Sequence, residues 1–251
     1  MIGVNATLPE RAAGLLTAIA TAVVIVAIAI VPFLSPAWVS FEQGRSGAEQ
    51  LTGYTTAELR TATDAILADL VLGPPDFDVV VGGAPVLNER EQSHMRDVRG
   101  VFAGFGLIAV LAAAGLVVAI GLARRLGHPE RAWSAVRNGA RALVIGVAIA
   151  GVVAFFAFDA AFEVFHRLFF AGGSYTFDPA TERLVQLFPF QFWQETAIVV
   201  GVVSVVLASV VAAVAHGRAA AAVTVPASTA ERDGAIADGS SPSVPAAGAP
   251  R

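Results

Sequence analysis

Four apolar runs without a single charged residue limit what this chain of 251 residues can fold into. They cover residues 12–34, 101–123, 142–158 and 196–215. About 20 helical residues cross a hydrocarbon core of about 30 Å, and the shorter third run stays apolar beyond Asp159. We therefore predict an all-α membrane protein with four transmembrane helices. The first run is longer than the apolar part of a signal peptide, so we expect it to be retained as a helix.

Arginines predict the orientation of the four helices. Residues 124–141, between the second and third runs, contain five arginines and one acidic residue. Short arginine-rich loops stay in the cytoplasm. Both termini are then cytoplasmic, and loops 35–100 and 159–195 lie outside. The predicted divisions are a cytoplasmic N-terminus (1–11), a membrane domain (12–215) and a disordered cytoplasmic tail (216–251) in a multi-pass protein of the cell membrane.

The first outer loop contains signals of local structure. Thr55 and Glu58 have the spacing of a capping box, which predicts a helix after Thr55. Residues 77–87 suggest a short hairpin around Gly82 and Gly83. A second capping box, Asn88 with Glu91, predicts a helix that runs unbroken into the second span. We therefore expect a partly ordered outer subdomain at residues 35–99.

Composition excludes several kinds of chemistry. Only 14% of the residues are charged, the net charge is −4, and all 16 basic residues are arginine, which disfavours nucleic-acid binding. The absence of cysteine excludes disulfides, thiolate metal sites and a cysteine nucleophile. No span carries a charge at its centre, which disfavours an ion or proton transporter. Four histidines remain as the scarce reactive groups: His94, His128, His166 and His216.

Two of these histidines occupy equivalent positions at the outer interface. His94 precedes the second span by about two turns, with Glu91 and Asp97 three residues away on either side. His166 follows the third span, and Glu163 precedes it by three residues. A carboxylate can hold one ring nitrogen and leave the other free for catalysis. The shared depth on consecutive helices predicts one functional pair, whereas His128 and His216 are interpreted as interfacial residues.

Two further functions stay open on the residues alone. The pairs Glu91/His94 and Glu163/His166 are similar to the Glu-x-x-His elements of di-iron bundles, which makes a metal-dependent membrane enzyme conceivable. That pattern also needs a glutamate from each of two other helices, and the first and fourth spans contain none inside. We therefore predict no metal and no cofactor. The other alternative is a non-catalytic integral membrane protein.

Four stretches carry a resemblance to a known family. They are NEREQSHMRDV (88–98), FDAAFEVFHRLFF (158–170), YTFDPATERL (175–184) and LFPFQFW (187–193). Together with the order of spans and loops, they resemble the lipoprotein intramolecular transacylases, a family of bacterial integral membrane proteins long without a known function. The resemblance implies that His94 and His166 are catalytic. It also implies an acyl transfer at the outer leaflet, from the glycerol of a diacylglyceryl lipoprotein to the amine of its N-terminal cysteine. Membrane lipid and the lipoprotein are the implied partners.

Transfer of an acyl group from oxygen to nitrogen needs a base, an acid and a donor for the oxyanion. A histidine pair supplies the first two, and both rings must reach one carbonyl, which predicts a separation of roughly 4–9 Å. We expect a carboxylate to orient the rings, from Glu91, Asp97 or Glu163. The remaining candidates are arginines for the oxyanion or for lipid headgroups (Arg96, Arg99, Arg167) and aromatic residues for an acyl-chain groove (Phe165, Phe169, Phe188, Trp193).

Overall fold

A computed structural model describes residues 7–170 and 175–224. Within those residues the chain forms eight α-helices and one two-stranded hairpin. Their bounds are α1 (Leu8–Ile30), α2 (Pro36–Ser46), α3 (Ala48–Thr52), α4 (Thr56–Val71), β1 (Val80–Val81), β2 (Ala84–Pro85), α5 (Glu89–Arg125), α6 (Pro129–Phe169), α7 (Arg183–Leu187) and α8 (Phe190–Thr224).

Four helices are long and apolar enough to cross a membrane, namely α1, α5, α6 and α8. The predicted all-α fold with four spans is confirmed. Helix α1 packs against the other three, and α6 packs along α8. Helix α6 extends past Asp159 to Phe169, but its backbone is not helical at Ala157, so residues beyond Asp159 belong to a segment that follows a break. The first run ends in a single 3₁₀ turn, Val31–Leu34, where Pro32 cannot donate a backbone hydrogen bond.

Small residues allow these helices to approach closely. A methyl group added at Gly139 of α6 would lie 2.2 Å from the carbonyl oxygen of Ala18 on α1, so the two backbones are in contact. Ala140 and Ala208 are fully buried where α6 meets α8. Lipid-exposed helices associate through such close packing, because apolar side chains gain nothing by leaving lipid.

A separate layer with its own hydrophobic core covers one end of the helices. It consists of α2, α3, α4, the hairpin, α7 and the first turns of α5 and α8, packed around residues such as Ile66, Phe77 and Leu187. The capping boxes at Thr55 and Asn88 and the hairpin around Gly82 are confirmed. Helices α2 and α3 were not predicted. This layer is therefore more fully built than the sequence indicated for residues 35–99.

Buried polar contacts join the parts of this layer. The amide nitrogen of Gln43 on α2 donates to Thr63 Oγ1 on α4 and to the Leu187 carbonyl of α7, each at 3.0 Å. At its edge, the indole nitrogen of Trp38 donates to Thr196 on α8. The layer is thus fixed to the membrane helices by hydrogen bonds as well as by apolar packing.

The disordered tail predicted for residues 216–251 begins before the end of helix α8. Helix α8 continues through the Ala-rich segment after His216 and ends at Thr224, because alanine has the highest helix propensity. The rest of the predicted tail, residues 225–251, lies outside the described residues, as does most of the predicted cytoplasmic N-terminus (1–6).

Candidate active site

His94 lies on the second turn of α5, on a helix start that is tightly held. The Asn88 side chain accepts hydrogen bonds from the backbone N–H groups of Arg90 and Glu91. The Glu91 carboxylate accepts from the backbone N–H groups of Asn88 and Leu184, both at 2.7 Å. This second bond joins α5 to α7. His94 itself is only 6% exposed.

His166 lies on the last turns of α6, beyond a break in that helix. Ala157 has φ −148° and ψ 47°, so residues 158–169 form a helical segment distinct from the preceding part of α6. No proline or glycine marks this position in the sequence. His166 Nδ1 donates to the Phe162 carbonyl at 2.8 Å. A carbonyl only accepts, so Nδ1 carries the proton and Nε2 of the uncharged ring keeps its lone pair.

The two imidazoles face each other across the gap between α5 and α6. Their ring centroids are 6.2 Å apart and their planes are inclined by 20°. The predicted separation is confirmed. His94 Nδ1 is buried and has no hydrogen-bond partner among the described residues. One pair of rings at this spacing can serve a single carbonyl, one as proton acceptor and the other as proton donor.

The segment after α6 covers both rings with aromatic side chains. The ring of Phe177 is 5.3 Å from that of His94, and the ring of Tyr175 is 5.1 Å from that of His166. Arg90 holds this segment by donating to Glu182 at 2.7 Å and to the Thr176 carbonyl at 2.8 Å. The Arg90 guanidinium also lies 4.9 Å from the centre of the Phe177 ring, a cation–π distance.

The carboxylates predicted to orient the histidines accept hydrogen bonds from groups other than the imidazoles, or are exposed. Both oxygens of Glu91 accept backbone N–H groups. Glu163 accepts from Arg167 at 2.8 Å and from the Tyr175 hydroxyl at 3.1 Å. Asp97 is exposed, and no hydrogen bond joins it to either imidazole in the described part of the chain. Among the described residues no hydrogen bond joins these carboxylates to either imidazole, because the rings point into an aromatic cluster, and an orienting role for the three acids stays a prediction.

The three candidate arginines are likewise engaged outside the pair. Arg99 donates to the carbonyls of Asp69 and Gly73, where it closes the end of α4. Arg96 donates to the Asp76 carbonyl at 3.3 Å, and Arg167 pairs with Glu163. In this arrangement Arg99 has a structural role. Arg96 and Arg167 remain exposed at the surface, where headgroup contact is open to them.

The predicted groove residues separate into two groups. Phe165 lies 5.4 Å from His166 by ring centroids and 4.9 Å from Phe169, and both phenylalanines are 47% exposed. Phe188, by contrast, is buried in the core of the layer that covers the helix ends. Trp193 contacts Phe188 at 6.2 Å and is 41% exposed. Phe188 is therefore a core residue and not part of a groove, because it directly follows α7 and is buried in the same core as Leu184 and Leu187.

The sequence interpretation missed the aromatic residues that touch the histidines. Phe170 lies 4.7 Å from His94, and Phe162 lies 4.1 Å from His166. Phe162 and Phe170 are four residues on either side of His166, and the helical period alone could have placed both against it. Phe177 and Tyr175 had no such signal. Within residues 7–170 and 175–224, no three His, Asp or Glu side chains gather as a metal site would require.

Comparison with known proteins identifies the family. The model of the family described as "Lipoprotein intramolecular transacylase Lit" matches residues 14–193, which is more than half of the chain. The chain belongs to the lipoprotein intramolecular transacylase family. Among curated proteins, none matches this family member significantly.

Solved structures show the same fold. The membrane-integral lipoprotein intramolecular transacylase Lit from Bacillus cereus superposes with a TM-score of 0.70 at 16% identity, over 84% of this chain and 95% of that one. Two structures of the same protein with one histidine replaced, by arginine and by alanine, each give a TM-score of 0.65 at 16% identity. They cover 84% and 83% of this chain, and 92% of their own chains.

Proposed function

We propose that this transacylase family member moves an acyl chain within diacylglyceryl lipoproteins at the outer leaflet, with His94 and His166 as its catalytic pair. The observation that carries the proposal is the approach of the two imidazoles to 6.2 Å from helices that are separate in sequence. Family membership supports the class of reaction. No cofactor is needed, since the reaction transfers only an acyl group and a proton.

The reaction balances with two proton carriers. The amine of the N-terminal cysteine attacks the ester carbonyl, the C–O bond to glycerol breaks and an amide C–N bond forms. One imidazole accepts the proton that the attacking amine loses, and the other donates a proton to the departing glycerol oxygen. The product is a lyso-form lipoprotein with an N-acylated cysteine.

The hydrogen bonds favour His166 as the base. Its Nδ1–H is engaged by the Phe162 carbonyl, which leaves the Nε2 lone pair for the substrate proton. His94 has no such partner at Nδ1, and it is enclosed by Phe170, Phe177 and His166. Phe165 and Phe169, exposed beside His166, are proposed to contact the acyl chain.

We further propose that both termini are cytoplasmic, so that the histidines face the outer leaflet. The arginine-rich turn between α5 and α6 lies beside the start of α1, since Arg131 pairs with Glu10. It also lies beside the end of α8, where Arg218 contacts the Trp133 ring. A cysteine introduced at exposed Gln50 is expected to react with a membrane-impermeant maleimide in intact cells. Reaction only after lysis would contradict this orientation.

The decisive experiment is mass spectrometry of lipoprotein N-termini from a host that lacks this activity. Expression of the wild-type protein is expected to convert diacylglyceryl N-termini to the N-acyl lyso form. His94→Ala and His166→Ala are each expected to lower conversion by at least about 100-fold, the lower end of acid–base contributions. His128→Ala is the matched control, because His128 is exposed in the α5–α6 turn beside Glu130.

The same experiment separates the alternatives. Full conversion by both histidine variants at normal abundance in the membrane would rule out the pair as catalysts. Conversion that a chelator abolishes would indicate a metal-dependent enzyme. If wild-type protein produces no lyso form, a non-catalytic membrane role is favoured.

A further inference from the structure

A groove runs between α6 and α8 at the end of the helices opposite the histidines. It is a shallow, open depression with a volume of about 470 Å³. Arg141 and His216 form its polar end, and Val144, Ile145, Ala212 and Ala213 form its apolar part. Ile145 is 61% exposed, so the groove is open sideways to the surroundings of the helices.

The polar end of the groove lies at the edge of the membrane core. Arg141 directly precedes the uncharged run 142–158, and His216 directly follows the uncharged run 196–215. The apolar lining lies about one turn further into these runs. The groove therefore crosses the depth at which the phosphates of a leaflet meet its acyl chains.

The polar end also carries uncompensated positive charge. Arg137 and Arg141 are four residues apart on one face of α6, where like charges repel. Within the described residues neither is in a salt bridge, whereas neighbouring Arg131 is paired with Glu10. The Nε atom of Arg137 is buried and has no hydrogen-bond partner among the described residues. An anion bound here would offset the repulsion and accept hydrogen bonds from the Arg141 guanidinium, which lines the groove.

His216 adds a further donor. Arg137 Nη1 lies 3.5 Å from His216 Nδ1. A guanidinium can only donate, so Nδ1 accepts and the ring proton resides on Nε2. The polar end of the groove and the adjoining turn of α6 thus combine two guanidiniums and an imidazole N–H, a donor set suited to phosphate oxygens.

From this arrangement we propose that the α6–α8 groove binds an anionic phospholipid, with its phosphate at Arg137, Arg141 and His216 and the first part of one acyl chain along Ile145 and Ala213. The ligand is a lipid and not a free anion, because the apolar part of the cavity continues directly from the polar end. The site is independent of the proposed acyl transfer.

The test is a lipid titration of the full-length protein purified in detergent, monitored by its thermal unfolding midpoint. Phosphatidylglycerol is expected to raise the midpoint, and Arg141→Gln is expected to raise the half-saturating lipid concentration by about tenfold, as for loss of one charge-assisted contact. Arg124→Gln, at an exposed position on the last turn of α5, is the matched control and is expected to bind as the wild type does. Phosphatidylcholine and inorganic phosphate are expected to produce little change.

Each result decides between the possible sources of binding. An equal effect of Arg124→Gln would show general attraction to a basic surface and overturn the site. An equal effect of inorganic phosphate would show a simple anion site and overturn the lipid assignment. If Arg141→Gln does not fold, Ala213→Phe fills the apolar part and keeps every charge. Unchanged phosphatidylglycerol binding by that variant would also overturn the proposal.

Discussion

The two histidines of the candidate site are held by different kinds of structure. His94 is only 6% exposed. The helix start that carries it is held by a capping box, by the hydrogen bond between Glu91 and α7, and by the hydrophobic core of the layer that covers the helix ends. His166 is half-buried on a segment whose residues Val164 and Leu168 are 64% and 74% exposed. A packed core therefore holds the ring of His94, whereas the ring of His166 is carried by the end of α6 beyond the break at Ala157.

The two histidines therefore differ in how firmly the surrounding structure holds them. Buried, hydrogen-bonded elements open rarely, whereas helix ends with few buried contacts open easily. A substrate with acyl chains in lipid and an amine in water must enter next to a part that can move. We infer that the His166 segment is the adjustable half of the site and that His94 is the fixed reference. Three predictions test this difference, in order of decreasing effect.

The largest effect is expected at Glu91. Glu91→Ala leaves the buried N–H group of Leu184 and the part-buried N–H group of Asn88 without acceptors, and it is expected to destabilise the folded protein by about 3 kcal/mol. Glu163→Ala, at the corresponding acid before His166, removes an exposed contact with Arg167 and a part-buried one with Tyr175 and should cost less than about 1 kcal/mol. Denaturant unfolding in detergent measures both. Equal losses would contradict the proposed difference between the two halves.

An intermediate effect is expected from pH, through the core that holds His94. Burial and the neighbouring Glu195 carboxylate raise the pKa of Glu42 from 4.5 to about 7. Because the folded-state pKa is the higher one, the stabilising contribution is complete below the unfolded pKa and is lost as pH rises through about 7. The unfolding midpoint should therefore fall between about pH 5 and about pH 8. Arg45, also near Glu42, opposes but does not cancel this shift.

The variant Glu42→Gln isolates that carboxyl. It is expected to flatten the pH dependence and to raise the midpoint at the alkaline end by a few degrees. Glu89→Gln, an exposed position at the start of α5, is the control and should leave the profile as in the wild type. A Glu42→Gln profile as steep as that of the wild type would show that another group causes the dependence.

The smallest effect is expected on the His166 side. Tyr175→Phe keeps the ring beside His166 and removes the hydroxyl that donates to Glu163. Stability should change by less than about 1 kcal/mol. Transacylation should fall by about threefold, which corresponds to about 0.6 kcal/mol of lost positioning in the transition state.

Tyr54 provides a matched control, because its ring contacts Arg183 in the layer that covers the helix ends. Tyr54→Phe retains that ring and should leave the rate of transacylation unchanged. Lipoprotein mass spectrometry at early time points measures both variants. No change in Tyr175→Phe would indicate that the Glu163 contact does not position His166.

Features that depend only on residues close together in the chain could be predicted from the sequence alone. Uncharged runs long enough to span a bilayer predicted all four membrane helices, since transfer of charge into hydrocarbon is costly whatever the fold. The capping boxes at Thr55 and Asn88 needed only a spacing of three residues. Helix α2 carried a comparable signal, Ser35 as N-cap before Pro36, from which its start could have been predicted.

Only the tertiary structure decided which distant residues meet. The facing of His94 and His166 follows from the packing of α5 and α6 and from the break at Ala157, and no local pattern contains either. Glu91 looked like a partner of His94 from its spacing, yet Leu184, far along the chain, supplies the N–H group that holds it. Local propensities depend on residues within one or two turns of a helix. Contacts between elements depend instead on which surfaces the whole chain can bury together, and this physical difference divides what was predicted from what was not.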